Sequence, residues 1–390
     1  MKYLLLRLKR FCGFLAGFVF FIAGLFKLLD PVGAGLVMKE YMDFFHIGFL
    51  EVISKPAAAL LAFAETVIGT ALVTGVWRRQ MALVAILFQI FFTILTLFLV
   101  IFNPKMECGC FGQVIHMTHL QTFIKNVVLF FMLVAFAFPL RYLGRPKKHK
   151  YASFAIVMVS VLAFAAYSWM YIPLVDFTAF RPAAALQAGS AFAVQDNDVY
   201  EAVFVYEKDG SQEEFTLGHL PDSTWTFVET RTSLKEERED IDVNLSFIDA
   251  DGNYQDSLAV SGKVLVISVY DADLRPAAWR KIRAFADMAD STGFRTLLLA
   301  SELPEQNDVG NIFLCDRKTL LSLNRSNGGV TYFSDGYLIR KWSARSRPDT
   351  CLLHEIYVGD DTETIIDSDT SGTLAFQGFL LYVFAVLLLL

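Results

Sequence analysis

Cys108 and Cys110 flank a single glycine in "MECGCFG", a few residues beyond an apolar run that ends at Phe102. Two cysteines at i and i+2 close a disulfide only in a very small ring, and Gly109 supplies the backbone freedom such a ring needs. A strained disulfide is easier to reduce, so the oxidised pair would accept electrons from a client thiol. The expected chemistry is a cycle between dithiol and disulfide. Two other readings stay open. The pair is a structural staple for its loop, or it joins His116 and His119 of "CGCFGQVIHMTH" in a metal site. Cys-x-Cys and His-x-x-His are both tighter than ordinary zinc spacings, so no metal is expected.

Ionisable residues inside apolar runs extend the candidate site. They are Lys27, Glu65 and Lys125, the last beside Asn126. Charge in a bilayer is costly and such groups face a bundle interior, paired. Either Glu65 neutralises one lysine and holds the helices in register, or the three line a polar pocket where a lysine favours a thiolate at Cys108 or Cys110. No glycine-rich nucleotide loop, Ser/His/Asp arrangement or H-E-x-x-H motif competes, and no cofactor is expected.

The elements that must position these residues follow from hydropathy. The chain has 390 residues, 55% of them hydrophobic, with a formal net charge of −6. That charge averages two unlike parts: residues 1–175 carry 16 Lys/Arg against 6 Asp/Glu, whereas 176–372 carry 18 against 34. An acidic polar half without a basic stripe argues against nucleic acid as a partner. The lipid bilayer is the first expected partner. Six runs approach the ~18 apolar residues that cross it: 11–29, 56–76, 80–102, 119–140, 152–173 and 373–390. The first exceeds the core of a cleaved signal peptide and is read as a retained span. Lys2, Arg7, Lys9, Arg10, Arg78, Arg79 and the basic cluster from Arg141 to Lys150 fall on one side, against Lys39, Lys55 and Lys105 on the other. The basic side is expected to be cytoplasmic. The amino terminus then lies in the cytoplasm, with "MECGCFG" and residues 176–372 in the periplasm of a bacterial inner membrane, where disulfides persist.

Residues 196–260 carry short alternating pieces that read as hairpin strands. From 262 the order is strand "GKVLVISVY", helix "PAAWRKIRAFADMADSTG", strands "FRTLLLA" and "NIFLCD", helix "RKTLLSLN" and a hairpin over "GGVTYFSDGYLIRKWSA". This α/β pattern resembles the thioredoxin fold. It departs from that family where chemistry is decided. The first strand runs into "VYDADLRPAAW", with Asp271 and Asp273 and no Cys-x-x-Cys, and "SNGGV" stands where thioredoxins carry a cis-proline. A binding or spacer module is expected there. Cys12 is expected to pack within the first span, and Cys315 and Cys351 are candidates for a structural bridge.

The first four spans resemble the DoxX/MauE group of membrane proteins, on "FIAGLFKLLDP" at 21–31, "AETVIGTALVTG" at 64–75, "NPKMECGCFG" at 103–112 and "LQTFIKNVVL" at 120–129. MauE is associated with maturation of a disulfide-rich methylamine dehydrogenase subunit, so the resemblance implies thiol–disulfide work on exported or periplasmic clients with thiols. The electron acceptor is open, a quinone being one possibility. The expected fold is a multi-domain membrane protein: an all-α transmembrane four-helix bundle, two further spans and an α/β thioredoxin-like extracytoplasmic domain. The expected divisions are 1–145 for the DoxX/MauE-like bundle, 146–175 for the fifth transmembrane helix and 176–261 for a β-rich segment. Residues 262–358 form the thioredoxin-like domain lacking Cys-x-x-Cys, and 373–390 a terminal span. A non-enzymatic scaffold with a stapled loop is the alternative.

Overall fold

The computed structural model describes residues 2–104, 106, 108–115, 117–138, 147–186, 200–208, 211–216, 225–234, 242–304 and 312–389. Lys105, His116, Arg141 and Arg145 of the sequence analysis lie outside them. The helical part comprises α1 (Lys2–Leu29), α2 (Pro31–Phe44), α3 (Ser54–Thr74), α4 (Arg78–Phe102), α5 (His119–Ala137) and α6 (Lys148–Met170), and α10 (Asp361–Leu389) returns to it from the far end of the chain. Among the described residues, six helical stretches are long and apolar enough to cross a membrane: Arg7–Leu29, Gly48–Thr74, Arg78–Phe102, His119–Ala137, Lys148–Met170 and Asp361–Leu388.

Small residues let α1 and α3 approach each other closely, the usual device of helix pairs in lipid. A Cβ on Gly69 would stand 2.3 Å from the Phe21 nitrogen, and one on Gly24 2.3 Å from Thr66 Oγ1. That contact brings Lys27 of α1 within reach of Glu65 of α3. On the neighbouring side, α4 and α5 are tied by side-chain amides: Gln89 Nε2 donates to the Asn126 carbonyl at 3.0 Å, and Asn126 Nδ2 to Thr96 Oγ1 at 3.2 Å. A reciprocal capping box between Thr118 and Gln121 starts α5. Against α1, the helices α6 and α10 bury Val157, Val161, Phe164, Phe376 and Val383.

Residues 30–55 lack the long apolar run that marks a span, but a helix forms there. Asp30 accepts from the Gly33 N–H at 2.9 Å as N-cap, and Pro31 occupies the first turn. The span expected at 373–390 belongs to a longer helix that begins at Asp361.

The polar region holds two sheets. One is antiparallel, β4 (Ser211–Thr216), β3 (Tyr200–Lys208) and β5 (Thr226–Leu234), in that order. The other is mixed. It is built on β8 (Lys263–Val269), β9 (Arg295–Ala300), β10 (Ile312–Cys315), β11 (Gly329–Ser334) and β12 (Tyr337–Trp342), with β2 (Ala185–Leu186), β6 (Asp242–Val243) and β7 (Phe247–Ile248) added at its edges. Its order is β6-β2-β12-β11-β8-β9-β10-β7. Strands β8, β9 and β10 run parallel, whereas β11 is antiparallel to both β8 and β12. The segment 176–261 therefore divides between the two sheets: β2, β6 and β7 are too short to bury a face alone and join the larger one.

Helices α7 (Pro276–Ser291) and α9 (Thr350–Val358) cover one face of the mixed sheet, packing Trp279, Ile282, Phe285, Leu353 and Ile356 on Leu265 and Ile267. Helix α8 (Arg317–Leu323) covers the other, where Leu320 and Leu323 meet Val264, Val266 and Phe333. Cys315 is buried on the α8 face, while Cys351 is exposed on α9 across the sheet. The layer between them prevents the bridge considered from sequence, and both stand as thiols. Burial pushes the Cys315 thiol up to about 12. Iodoacetamide at neutral pH should therefore modify Cys351 within minutes and leave Cys315 unmodified until the domain is denatured, as read by peptide mass mapping.

The mixed-sheet domain docks through complementary charge on α2, its cap Asp30 and the turn Gly48–Ile53 that follows it. Arg325 NH2 meets Asp30 Oδ2 at 2.9 Å, Lys318 meets Glu40 at 3.1 Å, and Arg317 meets Glu51 at 3.3 Å. The first is the costliest of the three to break because it is shielded: the side chains are 4% and 14% exposed. The other two are open to solvent and contribute little.

Candidate functional site

The loop between α4 and α5 leaves Asn103 in the left-handed conformation and reaches β1 (Cys110–Gln113) through Gly109. Gly109 has φ +57°, and a Cβ there would lie 2.3 Å from Val37 Cγ1 of α2. Glycine is thus required twice, by backbone angle and by contact. Tyr41, one turn further along α2, donates its hydroxyl to the Cys108 carbonyl at 2.9 Å. Burial, with smaller effects from Cys110, Cys108 and Glu40, raises the Tyr41 phenol above its ordinary range, so it stays a donor. His119 braces the loop from below, its Nε2 3.0 Å from the Met106 carbonyl and its Nδ1 3.2 Å from Asn103 Oδ1.

Gly109→Ala should destabilise the protein by about 1–3 kcal/mol, combining left-handed strain with overpacking. Val37→Ala in the same chain should restore only the steric share. Thermal melting of the detergent-solubilised variants reads both.

Beneath the loop lies a cavity of about 590 Å³, bounded by α1 to α5. Cys108, Gly109, Cys110, Lys27, Glu65 and Lys125 all line it. The residues picked from sequence are therefore neighbours, although they come from three helices and a loop. Cys108 is buried and Cys110 half-buried. Lys27 Nζ donates to both Glu65 oxygens, at 2.7 and 2.8 Å. Lys125 Nζ instead sits 4.8 Å over the ring of Phe111, the residue after Cys110. Glu65 is the one carboxylate among the lining residues. Two lysines and one carboxylate among the lining residues leave this end of the cavity with an excess of basic groups.

Tyr41, Val37 and Gln89 also line the cavity and were missed in the sequence. The Asp-Pro start of α2 was the available signal for the first two, and the polar interruption of an apolar run for Gln89. Among the described residues no group of three His, Cys, Asp or Glu side chains is arranged to hold a metal.

Comparison with known families bears on the same residues. Residues 2–139, which contain the whole cavity, match the family model of methylamine utilisation protein MauE. Residues 2–139, from α1 to α5, are MauE-like. A second match covers residues 200–237, to a domain of unknown function (DUF8463). Among curated proteins, Protein TlpB of Flavobacterium psychrophilum is 24% identical over 152 residues, 38% of this chain. The match spans about two fifths of that relative's length, 41%. No solved structure matches. The MauE-like region thus supplies both cysteines and all three charged cavity residues, while the mixed-sheet domain supplies none.

Proposed function

We propose that this membrane protein exchanges thiols and disulfides with exported proteins through Cys108 and Cys110. The observation that carries the reading is the convergence of both cysteines on one cavity that holds an excess of basic groups. Lys125 and the Lys27–Glu65 pair line the same cavity as both sulfurs, and a cysteine reacts as its thiolate. Different burial gives the two sulfurs different tasks. A client thiol attacks half-buried Cys110 of the disulfide and releases buried Cys108 as a thiol; a second client thiol then displaces Cys110, so the client leaves with a disulfide and the pair is left as a dithiol.

The mixed-sheet domain serves as the recruiting module. Its core order β12-β11-β8-β9, with α7 crossing between the parallel pair β8 and β9, supports a thioredoxin-like reading. The loop from β8 to α7 carries Asp271 and Asp273 where that fold would carry its dithiol, so the domain holds clients and the membrane bundle does the exchange. The basic-loop asymmetry orients the cysteines and this domain toward the periplasm.

The test is trapping in cells. Cys108→Ser should accumulate client proteins disulfide-linked through Cys110, visible on non-reducing gels and lost on reduction. Cys110→Ser should accumulate far fewer. If neither variant traps anything at wild-type abundance, the exchange reading falls and the loop is structural.

A further inference from the structure

A thiol pair that oxidises clients must itself be reoxidised, and the cavity's shape indicates from where. Its wall between α3 and α4 is formed by Leu60 and Phe91, with Phe45 and Ile47 beside them at the end of α2. These four are exposed, Leu60 at 70% and Phe91 at 57%. Leu60 lies about 9 Å along α3 from Ser54, and Phe91 about 16 Å back along α4 from Phe102, at 1.5 Å per residue. That depth is inside the ~30 Å hydrocarbon layer. On a spanning bundle, exposed apolar side chains at this depth face acyl chains. The cavity therefore opens sideways into lipid.

Its interior changes character from mouth to end. Near the mouth the lining is Leu60, Leu61, Phe91 and Leu95. The polar lining, Lys27, Glu65, Gln89 and Asn126 with half-buried Lys125, is the interior part, shared with the two cysteines. A fitting ligand has an apolar tail and a flat head rich in electron-pair acceptors for hydrogen bonds. About 590 Å³ accommodates such a head with the first part of a tail.

We propose that the cavity admits a membrane-soluble quinone through the α3–α4 opening and that the Cys108–Cys110 dithiol is oxidised on it. This rests on the exchange reading above. The two thiols lose two electrons and two protons and a sulfur–sulfur bond forms. The quinone gains both, its two carbonyl oxygens becoming the hydroxyls of the quinol. Lys125 faces the head and offsets the negative charge that develops on a carbonyl oxygen as electrons arrive. The Lys27–Glu65 pair supplies a fixed dipole and contributes no net charge.

The experiment uses the full chain in phospholipid nanodiscs with a photoactivatable azido-quinone bearing an isoprenoid tail. Crosslinks should map to α3 and α4 around Leu60 and Phe91, and unlabelled decyl-ubiquinone should suppress them at least tenfold. Ala64→Phe, which fills the cavity from α3, should lower labelling about tenfold while leaving client trapping in the Cys108→Ser background unchanged. Competition on the unaltered protein keeps the test valid if Ala64→Phe does not fold. Client trapping without competed crosslinks in the cavity overturns the quinone site and leaves the exchange reading standing. Competed crosslinks without trapping overturn the exchange reading and the electron transfer built on it. Equal reoxidation of the dithiol in quinone-free nanodiscs overturns the proposal as well.

Discussion

Glu65→Gln should remove most of the folded protein from the membrane. Glu65 is 4% exposed and accepts both hydrogen bonds from Lys27, so its neutralisation leaves two lysines facing an apolar cavity with no anion. Removing one partner of a buried ion pair costs about 3–5 kcal/mol, whereas replacing both by apolar residues of similar size is often neutral. The double variant Lys27→Met, Glu65→Leu should therefore regain much of the abundance lost in Glu65→Gln. Size-exclusion profiles of detergent extracts, followed by a carboxy-terminal fluorescent tag, measure it. The double variant also separates architecture from chemistry. If the pair serves only to hold α1 against α3, the recovered protein should trap clients as well as the original. Reduced trapping at equal abundance assigns the pair a part in thiol reactivity.

The second large effect is expected at the junction between domains. Arg325→Glu should release the mixed-sheet domain from α2, because it sets two carboxylates against each other where an ion pair 4% and 14% exposed now stands. A loss of about 3–5 kcal/mol in docking is expected. Asp30→Arg in the same chain should restore it. Asp30 also caps α2, so Asp30→Asn is the informative control: the amide oxygen keeps the cap and the charge is gone. Docking is read by protease protection of the domain, and its effect on the loop by the alkylation rate of Cys110. Helix α2 touches the domain through Asp30 and the loop through Val37 and Tyr41. Arg325→Glu should thus change Cys110 alkylation, and Asp30→Asn should change it less.

Much of this architecture was legible before any coordinates. The six spans show because lipid demands long apolar runs, although α1 and α10 begin well before their apolar stretches. Lys27, Glu65 and Lys125 could be named because ionisable groups in such runs have few tolerable places, all of them interior. The convergence itself was not legible. It depends on how closely α1 and α3 pack, which Gly24 and Gly69 decide by what they lack. Helix α2 was hidden because its apolar residues are interspersed with glycines and with Lys39, Glu40 and Asp43, a pattern that suits a helix lying across the bundle end and scores poorly as a span. In the polar region, local pattern found the strands of the mixed sheet from 262 onward. The two-residue strands β2, β6 and β7 carry no periodicity to detect, and pairing with distant partners creates them.

Helix α10 has a mechanical implication. Its first residue, Asp361, accepts the Tyr332 hydroxyl at 2.7 Å from the middle of the mixed sheet, and the helix then runs unbroken to Leu389 beside α6. At the other attachment, just past α6, Asp176 meets Lys341 of β12 at 2.5 Å. A body bolted at two points can rock about the line joining them but cannot tumble on a string. The Arg325–Asp30 contact at the start of α2 adds a third attachment and checks that rocking.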